Sequence, residues 1–519
     1  MNEAPCYNNP VIRGFAPDPS VVRVGEEYYA ANSTFQYFPA ITISHSRDLV
    51  HWRIIGHVLT QDDQLDLREL ADSHGIWAPD LSYHNGLYSV FATLRLNNPP
   101  EGSLEPLRVQ LMMTAEKPEG PYSRPVILPV DTIDPSLFVD DDGKRYLVVS
   151  PGVRIARLSE DCTEVLEEPY AIWEGTGRRC PEGPRLLKKD GWYYAILAEG
   201  GTGHGHCVTL ARSRALTGPY EECPWNPVLT QSDPEASIQR CGHGQLVETQ
   251  TSEWWMLYLC GRDNGGQYTT LGRETALDPV TWTDDGWFIV NGGRGPSVRN
   301  TAPNLLPAPA GNSAVEEFDA PELSPLWEWV RNPAPSLWSL TARKGFLRLL
   351  TSDHGLSALA PGNVLVRREE ALRYRAETAM EFSPVEGDAA GLVCYYGINN
   401  HLSAAVTRER GVLKMIVSEN RNGDCARIGE CPVSSGSVRL RLFTEGQVRF
   451  FQIDDGAGAW REIARVADCT FLSDEGVTIG KHHTGTMLGF FAQAGEEGRR
   501  TPVDFDYLRC VWEEGEGTC

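Results

Sequence analysis

The sequence lacks an apolar run long enough to span a bilayer, and it also lacks any run of basic residues. The first absence argues against a membrane-spanning helix. The second, in a chain with a formal net charge of −23, argues against binding to phosphate backbones or anionic membrane surfaces. We therefore expect neither nucleic acid nor a membrane among the partners of this chain.

Paired CxxC spacing is also absent, although the chain has 13 cysteines. An odd number of scattered cysteines argues against a disulfide framework and against a zinc site, and predicts reduced thiols. The first residues, Met1 to Cys6, contain neither a basic segment nor an apolar one of the kind found in secretory signals. These features predict a cytoplasmic protein.

What the sequence does contain is typical of many short strands joined by turns. It has 50 Gly, 35 Pro and 48 aromatic residues (14 Trp, 18 Tyr and 16 Phe), which favours an all-β fold. A length of 519 residues exceeds what one hydrophobic core usually serves, so two domains are expected.

A unit made of a short polar signature, an apolar strand, a turn and an aromatic-rich strand occurs five times in the first 300 residues. The polar residues that lead the copies lie 48 to 62 residues apart, a period that fits a propeller blade of about four strands. The inner strands of a propeller run along its axis, so these leading residues should converge in one funnel. They are Asp18, Asp80, Asp134, Glu182 and His243.

The repeat fades after residue 288, and the Pro-rich run from Pro296 to Gly311 reads as a linker. Alternating strands follow, such as Val438–Phe443, and they predict an antiparallel β-sandwich. The predicted domains are a five-bladed β-propeller over residues 1–300 and a β-sandwich over residues 313–519. No acid-base constellation occurs in the second domain.

Carboxyl groups at the same phase of a propeller are suited to glycoside hydrolysis. The reaction requires one protonated carboxyl group to give a proton to the leaving oxygen, and one carboxylate to activate water or attack the anomeric carbon. A third carboxylate near the acid would raise the pKa of that acid and keep it protonated. The alternative is that an Asp before Pro-Ser caps a turn. Turn capping explains one isolated Asp well, but it explains three acids at the same position of the repeat poorly.

Six motifs in order across the first 290 residues resemble those of glycoside hydrolase family 43, the five-bladed propeller enzymes with β-xylosidase and α-L-arabinofuranosidase activities. The C-terminal portion similarly resembles the concanavalin-A-like sandwich of the β-xylosidase branch. The motifs are Ala16–Ser20 (APDPS), Gly75–Leu81 (GIWAPDL), Ile133–Phe138 (IDPSLF), Pro181–Pro184 (PEGP), Gly242–Gln245 (GHGQ) and Leu271–Thr275 (LGRET).

The resemblance implies a separate role for each of three acids. Asp18 would be the general base that deprotonates water, and Glu182 the general acid. Asp134 would raise the pKa of Glu182 and orient it. Asp80 is not used as an acid or base in this family, and we interpret it as structural. The family inverts anomeric configuration, which predicts a separation of roughly 6.5–9.5 Å between the carboxyl groups of base and acid.

The resemblance also indicates residues that bind the sugar. Phe35 and Trp77 match aromatic positions that line the pocket, although core packing explains either ring about as well. Arg273 matches an arginine that contacts the sugar and the catalytic carboxylates, which a guanidinium fork can do; its alternative is a surface ion pair with Glu274. His243 would lie beneath the catalytic centre, either as an axial hydrogen-bonding histidine or as the single protein ligand of Ca²⁺ or another divalent ion.

Two loops are expected to reach the pocket. In the second domain, the segment Gly480–Thr486 matches a loop that closes the pocket in β-xylosidases, which predicts His482 or His483 at the pocket rim. The glycine-rich segment Gly200–His206 follows a strand without opening a helix, so it does not fit a phosphate-binding loop. We interpret it as a loop over the funnel, with His204 or His206 at the rim.

The sequence thus predicts an exo-acting, inverting β-xylosidase that releases xylose from the non-reducing ends of β-1,4-xylooligosaccharides and requires no cofactor. An α-L-arabinofuranosidase, or an enzyme with both activities, is the near alternative, because the two sugars present nearly the same hydroxyl groups. A non-catalytic sugar-binding propeller is the alternative from another class, and a homo-oligomer stays open.

Overall fold

The computed structural model describes residues 5–100, 102–309, 311–456 and 458–513, and these are built almost entirely of β-strands. The helices within these ranges are three short 3-10 turns, Asn291–Gly293, Pro335–Leu337 and Thr470–Leu472. No helix in the described ranges is long and apolar enough to cross a membrane.

Five antiparallel sheets follow one another along the first 290 residues, and each forms one blade. Blade one contains Ser20–Val24, Glu27–Asn32, Ala40–Ser46 and Arg53–Leu59, and blade two contains Gly75–His84, Leu87–Arg95, Arg108–Ala115 and Val126–Leu128. Blade three contains Ser136–Val139, Arg145–Val149, Val153–Arg157 and Tyr170–Trp173. Blade four contains Glu182–Lys189, Trp192–Glu199, Cys207–Ser213, Glu221–Glu222 and Leu229–Thr230, and blade five contains Ile238–Glu248, Trp254–Arg262, Arg273–Trp282 and Phe288–Val290.

The turn residues of the repeat explain how its apolar strand pairs with its aromatic-rich strand. Asn85 and Gly86 both have positive φ, 52° and 85°, and so do Asp190 and Gly191, 52° and 71°. Two consecutive residues with φ above zero form the tight turn whose twist matches that of paired strands, and Asn-Gly and Asp-Gly favour it. The inner and second strands of blades two and four are therefore hairpins, as the sequence predicts.

The two ends of the propeller are joined side by side. Cys6–Asn8 pairs with Arg299–Thr301 in an antiparallel ladder. The buried side chain of Asn9 donates hydrogen bonds to the carbonyl oxygens of Leu277 and Ser297, at 2.8 and 2.9 Å. These contacts fasten the start of the chain to blade five and close the ring.

Two larger sheets form the sandwich, and its core lies between them. One sheet has the strand order Asp424–Pro432, Val412–Arg421, Asn400–Glu409, Ala389–Gly397, Met487–Gln493, Leu365–Arg368, Glu328–Val330 and Tyr37–Phe38. The other contains Trp338–Ser339, Leu347–Leu350, Pro502–Phe505, Arg373–Phe382, Ser437–Glu445, Val448–Asp454 and Arg461–Val466, with Leu508–Glu513 and Val315–Glu316 at its side. The predicted all-β fold, a five-bladed propeller followed by a concanavalin-A-like sandwich, is confirmed.

One short strand of the propeller region belongs to the sandwich. Tyr37–Phe38, between two strands of blade one, pairs with Glu328–Val330 at the edge of a sandwich sheet. Arg331 extends this junction, since its Nε donates to the carbonyl oxygen of Leu70 and its Nη2 lies 2.9 Å from Asp72 Oδ1. The predicted domain boundaries, at residues 300 and 313, stay a prediction. The two domains share one sheet, because Tyr37–Phe38 belongs to the sandwich.

Within the described ranges, the cysteines follow the prediction of reduced thiols with one exception. The described chain has eleven free cysteines, and most of them are buried. Cys6, however, is disulfide-bonded. The prediction of reduced thiols is therefore wrong for Cys6, and one scattered cysteine without a CxxC partner carries no local sequence signal for such a bond.

Candidate active site

In each of the five blades, one residue in the inner strand or just before it has a left-handed backbone conformation. Each lies two residues before a polar residue that contacts another blade, and in four blades a proline stands between the two. The five residues are Asp18, Ala78, Asp134, Gly183 and His243, with φ of 53°, 34°, 59°, 61° and 49°. The same left-handed conformation recurs at all five positions, and only the four residues other than Gly183 are strained by it.

The prediction that the five leading residues occupy equivalent positions is therefore wrong in two blades. Asp80 lies two residues after the equivalent position, and Glu182 lies one residue before it. The pairing of these inner strands with their neighbours shifts register between Trp77 and Asp80, and between Glu182 and Arg185. Such irregularities displace side chains by a residue, and the proline that follows the equivalent position in four blades is the sequence signal that would have shown the offset.

Asp80 belongs to a second ring of polar contacts that ties neighbouring blades together. Its Oδ1 accepts a hydrogen bond from Ser20 Oγ of blade one at 3.2 Å, and its Oδ2 accepts one from the Leu137 amide of blade three at 2.9 Å. Arg185 of blade four forms an ion pair with the same carboxylate. The side chain is buried among these partners, which supports the structural interpretation of Asp80.

The three acids and both predicted aromatic rings face one pocket of about 530 Å³ at the axial end of the propeller. Arg273 and His243 also line it, as do residues 474–475 and 481–483 of the second domain. The structure thus brings together every residue that the sequence proposed for the site. Their roles stay predictions.

Asp18 is held as a carboxylate by three neighbours. Ser33 Oγ donates a hydrogen bond to Oδ2 at 2.6 Å, Arg273 Nη1 lies 3.0 Å from Oδ1, and His243 Nδ1 lies 3.5 Å from the same oxygen. Burial would raise the pKa of Asp18, but the charge of Arg273 and the hydrogen bonds lower this pKa below its usual range. An ionised Asp18 is what a general base requires.

Glu182 is in the opposite state. Burial raises its pKa to about 8, and the charges of Asp134 and then Asp18 contribute in the same direction. The side chain still reaches the pocket, because the residue is only partly covered. Glu182 is therefore protonated near neutral pH, as a general acid must be, and burial contributes more than the like-charge repulsion that the sequence suggested.

Asp134 contacts the backbone next to the proposed acid. Its Oδ2 accepts a hydrogen bond at 2.8 Å from the amide of Gly183, the residue that follows Glu182. Burial raises the pKa of Asp134; the nearby His243 opposes this effect and the charge of Asp18 adds to it. The Gly183 contact fixes the backbone that carries the acid.

Phe35 and Trp77 meet at one wall of the pocket, with ring centroids 5.8 Å apart. Phe35 is 2% exposed and belongs to a core cluster at the domain junction, so it packs in the core and lines the pocket at once. Trp77 is half-buried and donates from its indole nitrogen to the carbonyl oxygen of Ser73 at 2.9 Å. Its ring is therefore fixed in orientation where a sugar face could pack against it.

Arg273 does not make the surface ion pair that was its alternative. Its guanidinium is 3% exposed and contacts Asp18, while Glu274 pairs with Arg262. Nη2 of Arg273 donates to the carbonyl oxygen of His483 at 3.0 Å. The arginine thus joins Asp18 to the loop from the second domain.

The loop Gly480–Thr486 reaches the pocket, as expected. The His483 amide donates to Ser73 Oγ at 3.1 Å, and the His483 ring lies 6.0 Å from Trp77 and 6.4 Å from Phe35. Burial, with the charge of Arg273 next, holds the pKa of His483 well below its usual range, so this imidazole is neutral. His482 is exposed and lines the same pocket.

The two histidines of the glycine-rich segment lie in different places. His204 is exposed at the pocket, whereas His206 is 2% exposed and packs against Gly242, where a Cβ would lie 2.3 Å from the imidazole. Burial lowers the pKa of His206 to about 3. The prediction of a rim contact therefore fits His204, while His206 is buried in the pocket wall because Gly242 leaves room for its ring.

His243 has one nitrogen suited to a ligand. Its Nε2 is buried and lacks a hydrogen-bond partner. The described ranges contain no group of three or more His, Cys, Asp or Glu side chains able to hold a metal, so water would have to supply the other ligands of a cation at Nε2. Nδ1 contacts Asp18 at 3.5 Å, which fits the axial hydrogen-bonding role, and the unpartnered Nε2 is the atom that would hold a hydrated ion.

Several residues that line the pocket were not predicted from the sequence. Arg179 and Cys180 precede Glu182, Arg240 precedes His243 by three residues, and Asp474 and Glu475 come from the second domain. Arg240 has a positive φ of 60°, but no sequence pattern marks it. The acids of the second domain become visible only when the two domains are placed together.

A five-bladed propeller with an ionised and a protonated carboxyl group in one axial pocket defines a glycosidase. Residues 7–288 match the family described as glycosyl hydrolases family 43, and residues 315–510 match the β-xylosidase C-terminal concanavalin A-like domain. The chain belongs to glycosyl hydrolases family 43.

Relatives of this family align over nearly the whole chain. A xylan 1,3-β-xylosidase from Vibrio sp is 38% identical, over 96% of this chain and 98% of the relative. A non-reducing end α-L-arabinofuranosidase from Bacteroides ovatus is 35% identical, over 97% of this chain and 95% of the relative. The crystal structure of the GH43 BlXynB protein from Bacillus licheniformis superposes with a TM-score of 0.96 at 52% identity, covering 98% of this chain and all of that one.

Proposed function

We propose that this chain is an inverting, exo-acting β-xylosidase that releases xylose from the non-reducing ends of short xylooligosaccharides. The observation that carries the proposal is that Asp18 and Glu182 line one pocket in opposed environments: Arg273 beside Asp18 lowers the pKa of that carboxyl group, and burial raises the pKa of Glu182. The second domain covers part of the same pocket, which favours the end of a sugar chain over its middle.

The chemistry follows from these states. Asp18 accepts a proton from a water molecule as the water oxygen attacks the anomeric carbon, and Glu182 gives its proton to the departing glycosidic oxygen. Arg273 and His243 hold Asp18 in place, and Asp134 fixes the backbone beside Glu182. A cation at His243 Nε2 would add positive charge that favours ionised carboxylates.

The specificity assay compares three substrates: β-1,4-xylobiose, β-1,3-xylobiose and nitrophenyl α-L-arabinofuranoside. We expect the highest kcat/KM with β-1,4-xylobiose. An α-L-arabinofuranosidase is the second candidate, since a relative of that name aligns at 35% identity. Turnover of none of the three, with sugar binding retained, would leave the non-catalytic alternative.

The pH dependence of kcat/KM follows from the two pKa shifts. Glu182 acts in its protonated form and has a pKa of about 8, so kcat/KM should fall as the pH rises through about 8, approaching tenfold per pH unit. Asp18 acts in its ionised form and its pKa is lowered, so this group stays active until the pH falls below the usual carboxyl range. An alkaline limb near pH 6 would contradict the assignment.

Chelation tests the cation at His243. Because Arg273 and Ser33 hold Asp18 without an ion, we expect enzyme dialysed against EDTA to keep its kcat/KM. Loss of activity that added Ca²⁺ restores would show that the cation is required, and metal analysis of the untreated protein gives its occupancy.

The proposal also includes a cytoplasmic location, where imported oligosaccharides would be the substrate, and leaves a homo-oligomer open. Cell fractionation tests the first point. Analytical ultracentrifugation of the full chain tests the second.

A further inference from the structure

The glycine-rich segment Gly200–His206 forms the pocket wall beside the proposed acid. Its Gly200 amide donates to the carbonyl oxygen of Arg179 at 2.8 Å, and Gly201 lies against the Arg179 guanidinium. Arg179 lies three residues before Glu182. Because Glu182 protonates the leaving oxygen, the sugar released with that oxygen must lie on this side of the pocket.

The glycine content of this segment predicts a flexible loop rather than a pocket wall with one fixed conformation. Four of its seven residues are glycines, and Gly200, Gly201 and Gly205 have positive φ. Glycine loses more conformational freedom on ordering than any other residue. Among the described residues, a single hydrogen bond links residues 201–205 to the protein outside the segment: Arg240 Nε donates to the carbonyl oxygen of Thr202 at 2.6 Å.

The two terminal nitrogens of the Arg240 guanidinium are held by Asp474 and Glu475 of the second domain, with Thr269 of the propeller as a further partner. Nη2 lies 2.6 Å from Asp474 Oδ2, and Nη1 lies 3.1 Å from Glu475 Oε1 and 2.6 Å from Thr269 Oγ1. The Arg240 and Asp474 side chains are 3% and 4% exposed. Asp474 is fixed in turn by Tyr396, whose hydroxyl donates to Oδ1 at 2.5 Å.

We infer that Arg240 is a positioning residue through which Asp474 of the second domain fixes the segment 200–206 as the binding wall for the leaving sugar. The inference rests on the proposed function, because it assigns the side of the pocket from the role of Glu182. It adds a task for the second domain beyond covering the pocket. The buried ion pair holds the guanidinium in one orientation, and that orientation places Nε at Thr202.

Substrates with a sugar leaving group should depend on this link more than substrates with an aryl leaving group. In Asp474→Asn, the guanidinium loses the more buried of its two charged partners and keeps Glu475, so the tether to Thr202 weakens. We expect KM for β-1,4-xylotriose to rise about tenfold, the usual effect of losing one charge-assisted hydrogen bond. The KM for nitrophenyl β-xyloside should change less, and the alkaline limb of the pH profile should stay in place because Glu182 is untouched.

Arg240→Lys is a second variant, which keeps the positive charge but removes the hydrogen bond to Thr202. A lysine retains a positive charge for Asp474 but has no donor equivalent to Nε. We therefore again expect KM to rise more for xylotriose than for nitrophenyl β-xyloside. The matched control is Asp72→Asn, which removes another carboxylate that pairs with a buried arginine across the domain junction, Arg331, outside the pocket. It should leave the ratio of the two KM values as in the wild type.

Hydrogen exchange followed by mass spectrometry tests the wall directly, without turnover. We expect faster exchange in a peptide covering residues 200–206 in both Asp474→Asn and Arg240→Lys, and wild-type exchange there in Asp72→Asn. Unchanged exchange in this peptide together with an unchanged ratio of KM values in both variants would overturn the inference. Failure of the wild type to hydrolyse either substrate would instead refute the proposed function, while the exchange result would still report on the tether.

Discussion

Replacing Glu182 by Gln should lower kcat/KM for xylobiose by about 10⁴-fold, because the departing sugar oxygen then receives no proton. An aryl leaving group such as dinitrophenolate is stable without protonation. For the dinitrophenyl β-xyloside we therefore expect a loss of less than about tenfold in the chemical step. Steady-state kinetics on the two substrates measure this difference, and the alkaline limb near pH 8 should disappear in the variant.

Asp80→Asn is the matched control for this prediction, since Asp80 is another buried axial carboxylate, paired with Arg185. It should lower the thermal midpoint of unfolding and affect both substrates alike, because its contacts join blades and do not reach the reacting atoms. Equal losses on both substrates in Glu182→Gln would mean that Glu182 is not the general acid.

Replacing Asp18 by Asn should lower kcat/KM by about 10⁴-fold for both substrates, because water must be deprotonated whatever the leaving group. The asparagine keeps the size of the side chain, and its oxygen can still accept from Ser33 or Arg273. The expected loss therefore reflects the missing base rather than a collapsed site. Circular dichroism and the thermal midpoint check that the variant is folded.

A leaving-group dependence in Asp18→Asn would contradict the assignment, since it would place Asp18 in the protonation of the leaving oxygen. Rescue by added azide with an azide-substituted sugar as product would support it. A small anion that takes the place of the attacking water can attack the anomeric carbon without needing a base.

Much of the fold can be predicted from the sequence because the propeller repeats. Hairpin turns such as Asn85-Gly86 and Asp190-Gly191 carry their own conformational signal, and the period of the repeat predicts that Asp18, Asp134 and Glu182 lie in one funnel. The resemblance to the family added the separate roles of these acids. The pocket around the three residues agrees with that account.

The parts that were missed depend on three-dimensional irregularities. The register shifts that move Asp80 and Glu182 out of the common phase arise from local bulging in the strands. The passage of Tyr37–Phe38 into the sandwich sheet and the pairing of Arg240 with Asp474 join segments hundreds of residues apart. Neither has a pattern in the sequence, because each is fixed by how the two domains pack.

The anomeric configuration of the first-formed product tests the central assignment most directly. Proton NMR of xylobiose or an aryl β-xyloside during the first minutes of hydrolysis distinguishes the two anomers before mutarotation mixes them. With Asp18 as a base acting on water and Glu182 as the acid, the first xylose released must be the α-anomer. Initial release of β-xylose would show retention, and would contradict the proposed roles of both residues.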